Sequence, residues 1–159
     1  MRKHHRYTVF LAGAAVTALV VVPAAIGGGH QDLLRSGVAG STPLPPNGDG
    51  VMLFGINPGG KPWVANRHSS IRVKRNGEVR IKVFGLVIPG NTPPNPLPSL
   101  VASLVCNGMV VAATDPVPFS PDGNASFRDK FKVPKPCLAP AILLRPNAAA
   151  AAPYIGASG

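Results

Sequence analysis

Nineteen prolines and eighteen glycines are spread through the 159 residues of this chain, and they decide most of what it can fold into. Both residues break helices, proline by removing a backbone donor and clashing with the preceding turn, glycine through its conformational entropy. No stretch after residue 35 keeps a helical pattern for three turns. Yet 45% of the residues are hydrophobic, too many for a disordered chain. Short strands joined by turns reconcile the two facts, so the expected fold class is all-β. The length suits one domain.

The N-terminus stands apart. A basic head with Arg2, Lys3 and Arg6 precedes an apolar run over residues 9–22, and small residues follow. These are the three regions of a secretory signal over residues 1–27, with cleavage expected after Ala24 or Gly27. The apolar stretch, about 18 residues up to Ile26, approaches the ~20 needed to span a bilayer, so an uncleaved membrane anchor is the alternative. Taking those three cations from 16 leaves 13 Lys and Arg against 6 Asp and Glu, a net +7. The expected localisation is secreted or extracytoplasmic, and the exported part is basic in its own right. Residues 28–50 (GGHQDLLRSGVAGSTPLPPNGDG) read as a flexible Gly/Pro-rich spacer, which leaves residues 51–159 as the β-domain.

Alternation sets the register of residues 71–86 (IRVKRNGEVRIKVFGL). Ile71, Val73, Val79, Ile81 and Val83 are all odd-numbered, so odd must pair with odd for them to share a face. Val73 then faces Val79, and Arg75-Asn76-Gly77 forms a three-residue loop whose glycine is left-handed, a G1 bulge. A two-residue loop would set Val73 against Arg80 and split the apolar face. Residues 100–114 (LVASLVCNGMVVAAT) are apolar on both faces and turn tightly at Asn107-Gly108, pairing Cys106 with Met109 and Leu104 with Val111. Strands this apolar are expected at the centre of a sheet.

Residues 125–133 (ASFRDKFKV) alternate again, with Ala125, Phe127, Phe131 and Val133 inward and Arg128, Lys130 and Lys132 outward. Asp129 falls on the inward set and needs a partner or a sheet edge. Runs at 51–56, 62–66, 141–145 and 154–155 add short strands, and Trp63 is expected in the core. About eight to nine strands, with turns every 8–12 residues, fit a single antiparallel two-sheet sandwich best and a small β-barrel second.

Chemistry is sparse. The two cysteines, Cys106 and Cys137, suit one disulfide in an exported chain, stabilising the fold by roughly 3–4 kcal/mol on the chain-entropy model. After residue 27 the chain has one glutamate, five aspartates and two histidines, and only His68 lies in the domain. A small hydrolase built on His68 with Asp115 or Asp122 is the enzymatic alternative, but no GxSxG elbow accompanies it. A non-enzymatic protein is expected. The oxygen-rich turns at 47–50 and 121–124 do not match a calcium loop, and glycines 27–29 lack the strand and lysine of a phosphate loop. No metal and no cofactor are expected.

What remains is charge. Arg72, Lys74, Arg80 and Lys82 are even-numbered and project from one side of the hairpin, with Arg72 opposite Arg80, while Glu78 offsets only Lys74. Like charges facing each other are mildly destabilising. If Arg128, Lys130 and Lys132 lie on the same sheet, seven cations share one surface. Such a surface favours anionic cell-wall polymers or a membrane surface. The competing reading is a solvated face whose lysines discourage edge pairing. Base stacking would want aromatics between the cations, and the outward positions carry none, so no specific nucleic acid is expected.

The segments FGLVIPGNTPPNPLPSLVASLVCNG, TDPVPFSPDGNASF, CLAPAILLRPN and YIGASG resemble a group of short exported proteins of high-GC Gram-positive and related soil bacteria. The resemblance spans roughly residues 60–159 and the N-terminal signal. It implies secretion and a disulfide-closed β-domain, and supplies no activity. GEVRIKVFGL also resembles the strand and Gly-Leu turn of superoxide-dismutase-like sandwiches, but the paired histidines of a copper-zinc site are missing, so dismutase activity is not carried over.

Overall fold

The computed structural model describes residues 31–43 and 51–158, so the expected export segment lies outside the described residues. Ten strands follow in chain order: β1 Asp32–Ser36, β2 Val38–Gly40, β3 Ser70–Lys74, β4 Glu78–Val83, β5 Ser99–Cys106, β6 Met109–Ala113, β7 Val117–Pro118, β8 Ala125–Lys130, β9 Ala141–Arg145 and β10 Gly156–Ser158. They build two antiparallel sheets. One has four strands ordered β1-β3-β4-β8; the other has six, ordered β2-β10-β9-β5-β6, with β7 also pairing β5. Neither closes on itself, so the fold is the sandwich and not the barrel.

The β3–β4 hairpin has the register that its alternation demands. Ile71 faces Ile81, Arg72 faces Arg80 and Val73 faces Val79. Gly77 sits at φ +90°, and its N–H donates to the Lys74 carbonyl at 2.9 Å. Odd-numbered side chains therefore enter the space between the sheets, where Ile71, Val73, Val79, Ile81 and Val83 meet Leu100, Leu104, Ile142 and Leu144. Trp63 is buried in the same cluster.

The six-stranded sheet is covered on its other face as well. There Val105 and Leu143 pack against Ile56 and Tyr154. Arg145, opposite Val101, is also buried, and its charge is met by carbonyls. Nε and Nη2 donate to the Ala152 oxygen at 3.1 and 2.9 Å, and Nη2 also reaches the oxygens of Ala149 and Ala150. The alanine-rich loop after β9 is folded around this guanidinium. Burial pushes the Arg145 pKa down, but arginine stays protonated in proteins.

Cys106, at the end of β5, is bonded to Cys137, with 31 residues of separation and Cα atoms 4.9 Å apart. Asn107 reinforces the junction. Its N–H donates to the Leu138 carbonyl, its Oδ1 accepts from Leu138 N, and its Nδ2 donates to the Pro136 carbonyl. The segment leaving the four-stranded sheet after β8 is thereby tied to the centre of the other sheet.

Several expectations are corrected. Residues 32–40 are no spacer, since β1 and β2 add a strand to each sheet. Residues 51–56 form no strand; Leu53 and Ile56 bridge across a turn at Phe54-Gly55, both at positive φ. The β5–β6 hairpin pairs Cys106 with Met109 as expected, but a bulge shifts Leu104 from Val111 to Ala112. β6 is not central: it is a sheet edge, with Met109, Val110 and Val111 exposed. The last strand begins at Gly156 rather than at Tyr154, which instead bridges to Pro58.

Gly77 is held from two sides. Besides its positive φ, a Cβ there would lie 2.1 Å from the Phe131 carbonyl oxygen, whereas one at Gly108 (φ +78°) would meet nothing within 4 Å. G77A should cost about 3 kcal/mol and G108A about 1 kcal/mol, the difference being backbone collision rather than dihedral strain. Urea unfolding of both variants measures it; equal losses would mean that the approach of Phe131 is relieved cheaply.

Candidate functional site

Of the two sheets, the four-stranded one leaves its outer face to solvent. Directly opposed residues project to the same side of a sheet, so strand pairing gives the rows of that face. Arg35 on β1 pairs with Arg72 on β3, Arg72 with Arg80 on β4, and Arg80 with Arg128 on β8. Four arginines thus form one line across the whole sheet. At roughly 4.8 Å between neighbouring strands, the line spans about 14 Å.

A second row is mixed. Asp32 pairs with Lys74 across β1 and β3, and Glu78 pairs with Lys130 across β4 and β8. A third row holds Ser70, Lys82 and Ser126. The bulge between Asp32 and Leu34 sets β1 so that Leu34 faces Val73 toward the core and Arg35 joins the arginines.

Two carboxylates offset part of this charge. Asp32 Oδ1 accepts from Arg72 Nε at 2.7 Å, and Glu78 pairs with Lys74. The Lys74 hydrogen bond is the main reason that the Glu78 carboxyl is held below the ordinary glutamate range. Asp129, expected on the inward set, meets the sheet-edge condition: β8 is the edge strand, and Asp129 is exposed and accepts from its neighbour's N–H.

The seven cations singled out by parity are spread over three depressions. Arg72, Lys74, Arg80 and Arg128 line a depression of about 400 Å³ that also includes Glu78 and Asp129. Lys130 and Lys132 line a second, of about 470 Å³, with Arg75 and Lys135. Lys82 lines a third, of about 660 Å³, together with Arg35 and Arg67. Lys132 lies just past the end of β8 and extends the band beyond the sheet.

Sequence reasoning missed Arg35 and Arg67. Arg35 was hidden in the presumed spacer, although DLLRS is of strand length. Arg67 stands on a turn closed by the Ser69 N–H to the Asn66 carbonyl at 2.9 Å, with the His68 N–H on Asn66 Oδ1 at 3.0 Å. The Asn66 side chain and the polar cluster NRHSS were the available signal. Phe84, the residue after β4, is an exposed aromatic.

The residues of the enzymatic alternative are not brought together. His68, Asp115 and Asp122 are exposed, and among the described residues no ion pair joins His68 to a carboxylate. No group of three or more His, Cys, Asp or Glu converges among them either.

The arginine row has a measurable cost. Arg80 stands between Arg72 and Arg128, so R80T should raise stability by about 0.5 kcal/mol at low salt. The gain should shrink at about 0.5 M salt, where the Debye length is a few ångströms. Denaturant unfolding at two salts tests this, and a loss of stability would show that the guanidinium stem's packing outweighs the repulsion. Glu78 gives a pH counterpart. Its folded pKa lies below the unfolded one, so its contribution is present above the ordinary glutamate pKa and is lost as pH falls through the lowered value. Carboxyl NMR should show that titration moving back up in K74Q.

Comparison with protein-family models, with curated proteins and with solved structures finds no match, so what the face does is inferred from its own chemistry.

Proposed function

We propose that this protein is a secreted, non-enzymatic β-sandwich of the bacterial cell envelope whose open sheet face binds anionic polymer. The observation that carries the reading is the row Arg35, Arg72, Arg80 and Arg128. A face that needs only to be wet can be built from Ser, Thr or alternating Lys and Glu, without placing like charges directly opposite each other. Here the row runs through all four strands, and none of Asp32, Glu78 and Asp129 reaches Arg80 or Arg128 by an ion pair among the described residues. Repulsion of this kind is relieved when an anion lies along the row. The charges are arginines, whose planar forks bind phosphate and carboxylate oxygens in pairs.

Export is supported by the N-terminal pattern, the resemblance to short exported proteins and the Cys106–Cys137 bond. The backbone under the arginines is fixed by sheet pairing, so binding has only side chains left to order.

Retention on isolated cell walls and on soluble anionic polymers, at about 0.05 and 0.5 M salt, brackets weak and strong screening. The variant R72Q/R80Q/R128Q should lose about tenfold or more of the low-salt affinity while keeping the fold. Equal retention of variant and parent would make the row a solvated surface and defeat the proposal.

A further inference from the structure

The basic face is not uniform, and its unevenness selects a ligand. The middle depression contains Glu78 and Asp129 among its cations. The depression at the Gly37 end, about 660 Å³, is lined by Arg35, Arg67, Arg72, Arg80 and Lys82 and by no carboxylate among the described residues. Arg72 of this lining is paired through Nε with Asp32, which lies outside the lining. Ser70, also in the lining, is exposed and offers a hydroxyl.

The part of this site contributed by a loop is anchored. Ser69, buried beside Arg67's turn, clamps Phe84 at both backbone groups: its Oγ donates to the Phe84 carbonyl at 3.2 Å and accepts from the Phe84 N–H at 3.0 Å. The turn that carries Arg67 is thus fastened to the chain leaving β4. Arg35, Arg72 and Arg80 stand on three adjacent strands.

Five cations around one hollow suit an anion with several oxygens pointing in different directions. A carboxylate has two coplanar oxygens, which one or two guanidinium forks occupy. A phosphate monoester carries three free oxygens and about −1.5 to −2 charge, and can accept from cations on several sides at once. The hollow lies within the size range of small-ligand sites, roughly 300–1,000 Å³, so it has room for the unit that bears the phosphate.

Building on the reading of the sheet face as an anionic-polymer surface, we infer that the Gly37-end depression is a phosphate-monoester site, held by Arg35, Arg67, Arg72, Arg80 and Lys82. It makes phosphate-bearing glycans the preferred partners over carboxylate-bearing ones. The middle of the face supplies general attraction, and this end supplies the preference.

The test uses the purified protein with two small probes of similar charge, pyrophosphate and citrate, at fixed ionic strength and with amide and guanidinium NMR as readout. Pyrophosphate should bind saturably, with a Kd about tenfold below that of citrate, and should shift the signals of residues 35–37 and 67–71. R35Q/R67Q should abolish that preference, whereas R128Q/K130Q should weaken both anions alike; thermal unfolding checks that both variants fold. Equal affinity for the two probes, or a preference that survives R35Q/R67Q, overturns the inference even if cell-wall retention is intact. Failure of both probes together with loss of polymer retention overturns the face reading as well. A retention arm with a phosphorylated mannan against phosphatidic-acid vesicles supports the glycan when only the mannan is retained, and overturns that assignment when only the vesicles are.

Discussion

The conformation of Gly77 is the constraint on which the rest of this fold depends. With φ at +90°, it closes a three-residue loop and lets the Phe131 carbonyl come within contact of its backbone, while the Phe131 N–H donates to the Gly77 carbonyl at 2.8 Å. The first effect forces odd-numbered residues of β3 to pair with odd-numbered residues of β4. The second brings the chain after β8 to the same turn, which keeps Arg128 in line with Arg80. A loop one residue shorter would place Val73 opposite Arg80 and lose the core and the charged row together. Core and candidate site are therefore two sides of one register decision.

The two sheets then divide the work. Apart from its exposed edge strand β6, the six-stranded sheet is closed on both faces, by the opposite sheet on one side and by residues 51–58 and the alanine-rich loop on the other. The four-stranded sheet is closed on one face only. Antiparallel sheets tolerate this, and their solvent face is free to carry whatever function requires. The contrast between Arg145 and the arginine row follows from it. Arg145 projects from the closed face and is hydrogen-bonded to loop carbonyls, so it organises structure. Arg80 projects from the open face with like charges on both sides, and its placement stabilises nothing by itself.

Where the sequence was legible, strict alternation made it so. Residues 71–83 and, but for Asp129, 125–130 have one apolar and one polar parity, and only one pairing satisfies both. Alternation fails at bulges and in strands covered on both faces. The bulge between Asp32 and Leu34 leaves Leu33 and Leu34 both half-buried, so β1 has no period to read, and β2, Val-Ala-Gly, has too little hydrophobicity to announce itself. The run at 51–56 has strand composition but turns at Phe54-Gly55, where a positive φ on phenylalanine is not foreseeable from propensity. β6 is apolar at every position, which suggested a central strand, yet it forms an edge with its valines exposed; composition records what a strand could pack against, not which neighbours it has. Arg35 was missed for the same reason as β1, and with it the fourth member of the row.

The choice of arginine over lysine bears on what the row can recognise. Strand geometry fixes where each Cβ stands, so the freedom left to the face lies in its side chains. A lysine row would present mobile point charges, adequate for diffuse attraction to any polyanion. Arginine presents a planar fork that loses less freedom for each hydrogen bond it forms, and four forks at strand spacing define a repeat rather than a cloud. The lysines are placed accordingly. Lys74 is paired with Glu78, while Lys130 and Lys132 lie toward and past the end of β8, where they extend the field without belonging to the row. Under the proposed binding role, long-range attraction and short-range recognition would fall to different residues of one surface, and the like-charge repulsion within the row would be the cost of holding the Cβ positions of the recognising groups at a fixed spacing before a ligand arrives.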